Sequence, residues 1–223
     1  MRLTLALCLL PLPALAQTVS LPEGCTGFVT VQGSECSVSH HFTCEADAPG
    51  DIRRMDMGAN GPTYMGRIDS EAQWMESYHL NSGHAERLEP TPADRASFSE
   101  LIGEGADSYD FVTLSEEVGE TRYAGQDRLT GETVEIDGVT LSRTEYFITA
   151  YDAEGNVKWS SSGREFVHPG WRIFLSGQST YISPNGEFES DNTPVEFAFP
   201  GDPGFLAQRP KYNCEATEAS WRE

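Results

Sequence analysis

The sequence predicts a mainly β (α+β) protein: a single antiparallel meander sheet, strongly curved and half-barrel-like, with one covering helix and a disulfide-stapled hairpin at its N-terminal end. Three observations support this. Runs rich in β-favouring residues alternate with turn signals from about Gly119 to Phe199. Only one stretch carries both helix start and helix stop signals. No internal repeat or low-complexity linker divides the chain, so we predict one domain over residues 17–223.

The first sixteen residues have the pattern of a secretory signal peptide. Arg2 supplies a short charged start, residues 3–12 are apolar but too few to cross a bilayer, and Ala14-Leu15-Ala16 is a small-x-small cleavage site. Cleavage there leaves a mature chain that begins at Gln17. No later run is apolar enough to span a membrane. We therefore expect an exported protein, periplasmic or secreted, and the absence of any N-x-S/T acceptor favours a bacterial origin.

Four cysteines remain in the mature chain, Cys25, Cys36, Cys44 and Cys214. An exported chain usually oxidises an even set of cysteines, and no C-x-x-C pair typical of a zinc site is present. If residues 17–50 form a hairpin that turns near residues 33–35, Cys25 and Cys44 face each other and Cys36 is left for Cys214. The pairing of Cys25 with Cys36 and of Cys44 with Cys214 stays open. No cofactor is predicted.

The remaining elements follow from turn and capping signals. Three strands are expected within residues 52–80 and a longer meander over residues 108–200, in which Asp137-Gly138 is a strong hairpin turn. Residues 91–103 predict the helix, with Thr91 as N-cap, Pro92 as first helical residue and Gly103 as C-terminal stop. Residues 201–223 are expected to be an extended tail.

The segments "LTGETVEIDGVTL", "DAEGNVKW" and "PGWRIFLSG" follow the predicted helix as strands and tight turns. This strand pattern, over residues 52–200, resembles the exported bacterial half-barrels of the lipoprotein-carrier type. The resemblance implies a curved sheet whose apolar cavity shelters acyl chains and is plugged by helices. The chain departs from that family because only the cysteine-rich hairpin precedes the sheet. No motif matches position by position, so the resemblance implies no functional residues.

The charge of the chain limits its partners. The formal net charge is −20, and Lys158 and Lys211 are the only lysines. Such a surface repels phosphate backbones, which excludes nucleic-acid binding as a function. The expected partners are an apolar small molecule or lipid, or another protein.

Candidate site residues fall into two groups, because no nucleophile-elbow, H-E-x-x-H, P-loop or dinucleotide motif occurs. Aromatic residues on predicted strands form a candidate ligand pocket: Trp74, Tyr146, Trp159, Trp171 and Phe174. His79 and His84 flank a turn at residues 81–83 and form, with Glu86, a candidate metal site.

We therefore expect an exported, non-enzymatic binding or accessory protein that holds an apolar or lipid-like ligand in a curved sheet. One alternative is a secreted hydrolase that uses a carboxylate pair or the His/Glu metal site. Another is an interaction module of the cell envelope. The absence of catalytic motifs favours a protein without enzymatic activity.

Overall fold

A computed structural model describes residues 18–215. The predicted signal peptide, residues 1–16, lies outside the described residues. Within residues 18–215, thirteen strands form one antiparallel sheet that is accompanied by a single short α-helix. The structure thus confirms the mainly β meander. None of these residues belongs to a helix with the length and apolar character needed to cross a bilayer.

The strands are β1 (Cys25–Gly33), β2 (Val38–Cys44), β3 (Ile52–Gly58), β4 (Gly61–Ile68), β5 (Trp74–His79), β6 (His84–Leu88), β7 (Ala106–Ser115), β8 (Gly119–Ile136), β9 (Val139–Tyr151), β10 (Val157–His168), β11 (Ile173–Ser183), β12 (Gly186–Asp191) and β13 (Pro194–Ala198). From β1 to β12 each strand pairs with the next one in the chain, and β13 returns to pair with β1. The hydrogen-bonded ladder is therefore open between β12 and β13.

The hairpin between β8 and β9 has the turn that its sequence predicts. Ile136 pairs with Val139 across two residues, Asp137 and Gly138, whose φ angles are 49° and 77°. Two positive φ angles match the right-handed twist of the flanking strands, and Asp-Gly adopts them readily.

Glycines and register shifts bend the long strands. A side chain at Gly163 would collide with the backbone of Gln178, and one at Gly177 would collide with the backbone of Arg164. The pairing of β10 with β11 also shifts its register between Arg164 and Phe166. Such positions allow sharp local bending. As a result, strands far apart in the sheet meet in one apolar cluster: Val29, Val31, Val139, Leu141, Phe166, Ile173, Leu175 and Phe197. We call this cluster the closed region.

The helix α1 spans Phe98–Glu104, so the predicted start at Thr91 is wrong. The backbone of Asp94 instead pairs with that of Asp110 as an isolated bridge. Ser97 is the N-cap, since its side chain accepts a hydrogen bond from the backbone N–H of Glu100. The helix also ends two residues later than predicted, with Gly105 as the cap at φ 86°.

Both disulfides involve the first hairpin of the sheet. Cys25 pairs with Cys44 directly across β1 and β2, and Cys36 is bonded to Cys214. This is the pairing that the hairpin argument favours. The segment before Cys214 lies over β1, where the Lys211 N–H donates to Gln32 Oε1 at 3.0 Å.

Candidate functional site

The inner face of the curved sheet surrounds a cavity of about 460 Å³. This volume lies within the range of small-molecule sites. Strands from β2 to β11 supply its walls, and Phe98 and Leu101 of α1 contribute to its lining. Phe98 and Leu101 are themselves buried against Val167 of β10. The helix is therefore anchored to the wall of the cavity by an apolar contact.

Four of the five predicted pocket residues line this cavity: Trp74, Tyr146, Trp159 and Phe174. Trp171 is not among the lining residues, because it lies in the turn between β10 and β11. Its ring stacks on His168 at a centroid distance of 3.7 Å and lies 6.1 Å from the ring of Phe197. The structure thus brings four of the aromatic residues together and places the fifth beside the closed region. Ligand binding by the four stays a prediction.

Strand register arranges part of the cavity wall in three rows. The first, which we call the acid row, contains Asp107, Asp127 and Tyr146 side by side on β7, β8 and β9. A middle row lies two residues further along each strand and contains Tyr109, Gly125, Ile148 and Ser161. Two residues further lies the aromatic row of Phe111, Tyr123, Ala150 and Trp159. The acid row and the aromatic row are therefore about 13 Å apart at the usual rise of a strand.

The aromatic row continues across the cavity through ring contacts. Trp74 on β5 meets the Phe111 and Tyr123 rings edge-on at centroid distances of 5.7 and 5.3 Å. On the other side, the Trp159 ring lies 5.9 Å from Tyr123 and 5.3 Å from Tyr181. These distances are typical of favourable aromatic pairs. The result is a continuous aromatic surface along one end of the cavity.

The acid row places two carboxyl groups directly opposite each other. Asp107 and Asp127 retain only 5% and 8% of their exposure. Asp107 Oδ2 accepts a hydrogen bond from the Ser97 N–H at 2.8 Å, whereas its Oδ1 has no partner among residues 18–215. Burial raises the pKa of Asp107 to about 6. Burial, together with the nearby Glu165 and Asp107, raises the pKa of Asp127 to about 8.

Glu165 on β10 adds a third carboxyl group to the same part of the cavity. Burial raises its pKa to about 7, and the positive charge of Arg54 offsets part of that effect. Like charges on neighbouring strands repel each other. Three buried carboxyl groups with too few hydrogen-bond donors therefore destabilise the folded protein. Destabilising arrangements of this kind are typical of functional sites.

Among the described residues, Arg54 on β3 is the one arginine in the cavity lining. Its Nε lies 3.2 Å from Asp56 Oδ2, and its guanidinium lies 4.8 Å from the centre of the Tyr64 ring. Among residues 18–215, Asp56 is its only ion-pair partner within 4.0 Å. The neighbouring His41 is neutral at physiological pH, because burial and the charge of Arg54 lower its pKa to about 3.

The candidate metal residues come together on the hairpin of β5 and β6. His79 and His84 face each other across the strands with their rings stacked 4.4 Å apart, and one ligand atom from each histidine and from Glu86 lies within 4.8 Å of the others. Thr113 and Tyr123 donate hydrogen bonds to Glu86 Oε2 at 2.8 and 3.0 Å. The other oxygen, Oε1, lies 3.4 Å from His84 Nε2. The carboxylate is thus oriented by two hydroxyl groups while one oxygen faces the histidines.

Sequence reasoning missed several ionisable residues of the cavity, among them Arg54, Asp107, Asp127 and Glu165. A signal was available for Asp127, because Tyr123, Gly125 and Asp127 alternate along β8 and share one face. A carboxylate in the alternating inward pattern of a strand is unusual enough to indicate a site. For Arg54 and Glu165, only the curvature of the sheet shows that they face the same cavity.

No protein-family model, curated protein or solved structure shows significant similarity to this chain. The resemblance to lipoprotein carriers therefore stays a prediction from the strand pattern.

Proposed function

We propose that this protein is an exported, non-enzymatic binding protein that holds a small, largely apolar ligand inside its curved sheet. The observation that carries the proposal is the cavity of about 460 Å³ with a continuous aromatic surface. Ligand sites are typically concave and aromatic, with a few polar groups at defined positions. Two disulfides are compatible with the export that the leader predicts.

The test is the binding of N-phenyl-1-naphthylamine, an uncharged aromatic probe whose fluorescence rises in an apolar site. Two variants of adjacent residues separate the cavity from the outer surface. Ser161→Trp fills the cavity, since Ser161 lines it, whereas Ser162→Trp adds the same side chain to the exposed face of β10. We expect the wild-type protein and Ser162→Trp to bind the probe and Ser161→Trp to lose binding. Equal binding by both variants, or none by the wild type, would refute the proposal.

The histidine pair supports a second candidate function, metal binding with a hydrolytic role. Two imidazoles and one carboxylate are a ligand set that zinc uses in catalytic sites, where the metal activates a bound water. Burial and the nearby His84 lower the pKa of His79, so its imidazole is neutral and free to bind a metal. The stacked rings would have to rotate for both histidines to reach one ion.

Titration with Co²⁺, followed by its visible absorption, tests this second candidate. We expect His84→Ala to weaken binding by roughly tenfold or more, which corresponds to about 1.4 kcal/mol. His168→Ala is the matched control, because His168 stacks on Trp171 away from the cluster. Equal affinity in the two variants would exclude the cluster as a metal site.

A further inference from the structure

The acidic side chains of the cavity outnumber their basic partners. Among residues 18–215, five acidic side chains line it: Glu71, Glu86, Asp107, Asp127 and Glu165. Glu71 is paired with Arg172 at 2.8 Å, and Glu86 accepts two hydroxyl hydrogen bonds. The three other carboxyl groups have no ion-pair partner within 4.0 Å among residues 18–215.

The hydrogen bonds of these three carboxyl groups are also incomplete. Asp107 is only 5% exposed, and one of its buried carboxyl oxygens, Oδ1, has no hydrogen-bond partner among the described residues. No hydrogen bond to the carboxyl oxygens of Asp127 or Glu165 is present among the described residues. Buried carboxyl groups are normally either paired or protonated, and a cation in the cavity would supply the partner that these three lack.

The aromatic lining independently favours the same kind of ligand. Trp, Tyr and Phe rings attract a cation that lies over their faces, and several such rings together are used to bind quaternary ammonium groups. Here Tyr146 belongs to the acid row, Tyr109 lies in the adjacent middle row, and the aromatic row begins two residues beyond the middle row. A ligand with a cationic head and an apolar body would match the order of these rows.

From this arrangement we infer that the ligand carries an ammonium group, bound against the carboxyl groups of Asp127 and Glu165, and an apolar body that lies along the aromatic row. The inference rests on the proposed function, because it names the class of ligand for the same cavity. Organic cations of this kind include long-chain amines and quaternary ammonium compounds.

Arg54 does not reverse the preference for a cation. Its charge is opposed by Asp56 at 3.2 Å and, across the cavity, by Glu165. An anionic ligand that approached Arg54 would also approach Glu165, and the charge of that residue would oppose binding.

The ligand preference should depend on pH. Asp127 is faced by Asp107 on β7, by Tyr146 on β9 and by Glu165 on β10, while Arg54 on β3 faces Glu165. Carboxyl groups with pKa values of about 7 and 8 are protonated in mild acid and ionise as the pH rises. Binding of a cation should therefore strengthen between about pH 5 and about pH 8.5.

The experiment measures displacement of N-phenyl-1-naphthylamine by three compounds that share one benzyl group. Benzyltrimethylammonium is the cation, neopentylbenzene is its uncharged counterpart with carbon in place of nitrogen, and phenylmethanesulfonate is an anion. At about pH 8.5 we expect the cation to displace the probe at a concentration roughly tenfold lower than the uncharged compound, because the carboxyl groups and the faces of the aromatic rings attract a cation and not a neutral group. This advantage should shrink at about pH 5.

Two variants locate the effect. Asp127→Asn and Glu165→Gln should each remove most of the preference for the cation, and the second variant serves if the first does not fold. Glu187→Gln, on the exposed strand β12, changes the net charge by the same amount and should leave the preference intact.

The outcomes separate this inference from the proposed function. If the wild-type protein does not bind the probe, both fail. If the probe binds but the three compounds displace it equally, only the ammonium inference fails. Tightest displacement by the anion would assign recognition to Arg54 and would also overturn the ammonium inference. That inference is equally wrong if the variants at Asp127 and Glu165 keep the preference for the cation.

Discussion

The closed region and the cavity are formed by the same sheet, but the interior of the closed region is packed with side chains whereas that of the cavity is open. In the closed region, the buried side chains of β1, β9, β10, β11 and β13 are aliphatic or Phe, and they pack against one another. In the cavity, the inward positions of β3, β7, β8 and β10 include Arg54, Asp107, Asp127 and Glu165. The sheet therefore fills its interior where the residues are apolar and leaves space where they are charged.

The difference separates the packed part of the sheet from the part to which we assign the proposed function. Removing apolar surface from water lowers the free energy of the folded protein. The apolar side chains of the closed region therefore pack together. Carboxyl groups lose hydration when they are buried, so packing side chains over them without a partner costs free energy. We interpret the closed region as the part that stabilises the fold and the cavity as the part that binds.

The largest expected effect is on the closed region. Leu141 is fully buried in the closed region and does not line the cavity, so Leu141→Ala should lower the free energy of unfolding by about 3 kcal/mol at every pH. Urea unfolding measures this change. Ile182→Ala is the control, because Ile182 is 50% exposed and its truncation should cost less than about 0.5 kcal/mol. Similar costs for the two variants would contradict the assignment of the closed region as the core.

The raised pKa values of the cavity carboxyl groups should make the free energy of unfolding fall as the pH rises. The pKa of Asp127 is about 8 in the folded protein and 3.8 ordinarily, so the folded state holds a proton that the unfolded chain has released. The stabilising contribution of that proton is present below pH 3.8 and is lost as the pH rises through about 8. Glu165 and Asp107, whose pKa values are also raised, act in the same direction.

We expect Asp127→Asn to reduce the loss of unfolding free energy between about pH 5 and pH 8 by on the order of 2 kcal/mol. Urea unfolding across this range measures the slope. The exposed substitution Glu187→Gln should leave the slope of the wild type unchanged. If the unfolding free energy of Asp127→Asn falls with pH as steeply as that of the wild type, Asp127 is ionised in the folded protein. The cavity then carries no buried protonated carboxyl group at this position, and the proposed electrostatic difference between the two regions is wrong.

A smaller, opposite effect is expected at His40 on the outer side of β2. His40 is fully buried, and its Nδ1 lies 3.0 Å from Thr30 Oγ1. Burial lowers its pKa from 6.5 to about 4, although the carbonyl of Ala207 and the charge of Asp56 partly offset this. The stability it contributes is therefore present above pH 6.5 and is lost as the pH falls towards 4.

His40→Gln should reduce the acid loss of unfolding free energy between about pH 6.5 and pH 5 by about 1 kcal/mol. His41, whose pKa is lowered to about 3, remains in the variant, so part of the loss should persist. The thermal midpoint measured at both pH values tests this. An unchanged difference between the two midpoints would mean that folding does not lower the pKa of His40 and would contradict the prediction.

Local signals in the sequence predicted the parts of the fold that depend on local geometry. The Asp137-Gly138 turn, the facing of Cys25 and Cys44, and the approach of His79 to His84 all follow from short hairpins. The helix start was wrong because Thr91 satisfies the capping rule, while the backbone of Asp94 is bound by Asp110 from another strand. Ser97 followed by Glu100 is also a capping-box pattern and indicates the observed start.

The cavity residues needed information that strand patterns do not contain. Tyr146 and Trp159 were predictable as inward aromatic residues of a meander, but Trp171 lies in a turn that directs it elsewhere. Whether Glu165 faces Asp127 depends on how far the sheet curves and on the register shift in β10. A strand sequence specifies which residues share a face, but it does not specify the distance between faces.

The sequence by itself determined the alternation of strands and turns, the order of the meander and the chemistry of the disulfides, because these depend on neighbours in the chain or on compartment. Only the tertiary structure decided which inward residues pack together and which surround a cavity. That outcome depends on the curvature of the whole sheet, since small bends at glycines and register shifts accumulate over many strands. The unpaired carboxyl groups beside the aromatic rings became visible only at that level.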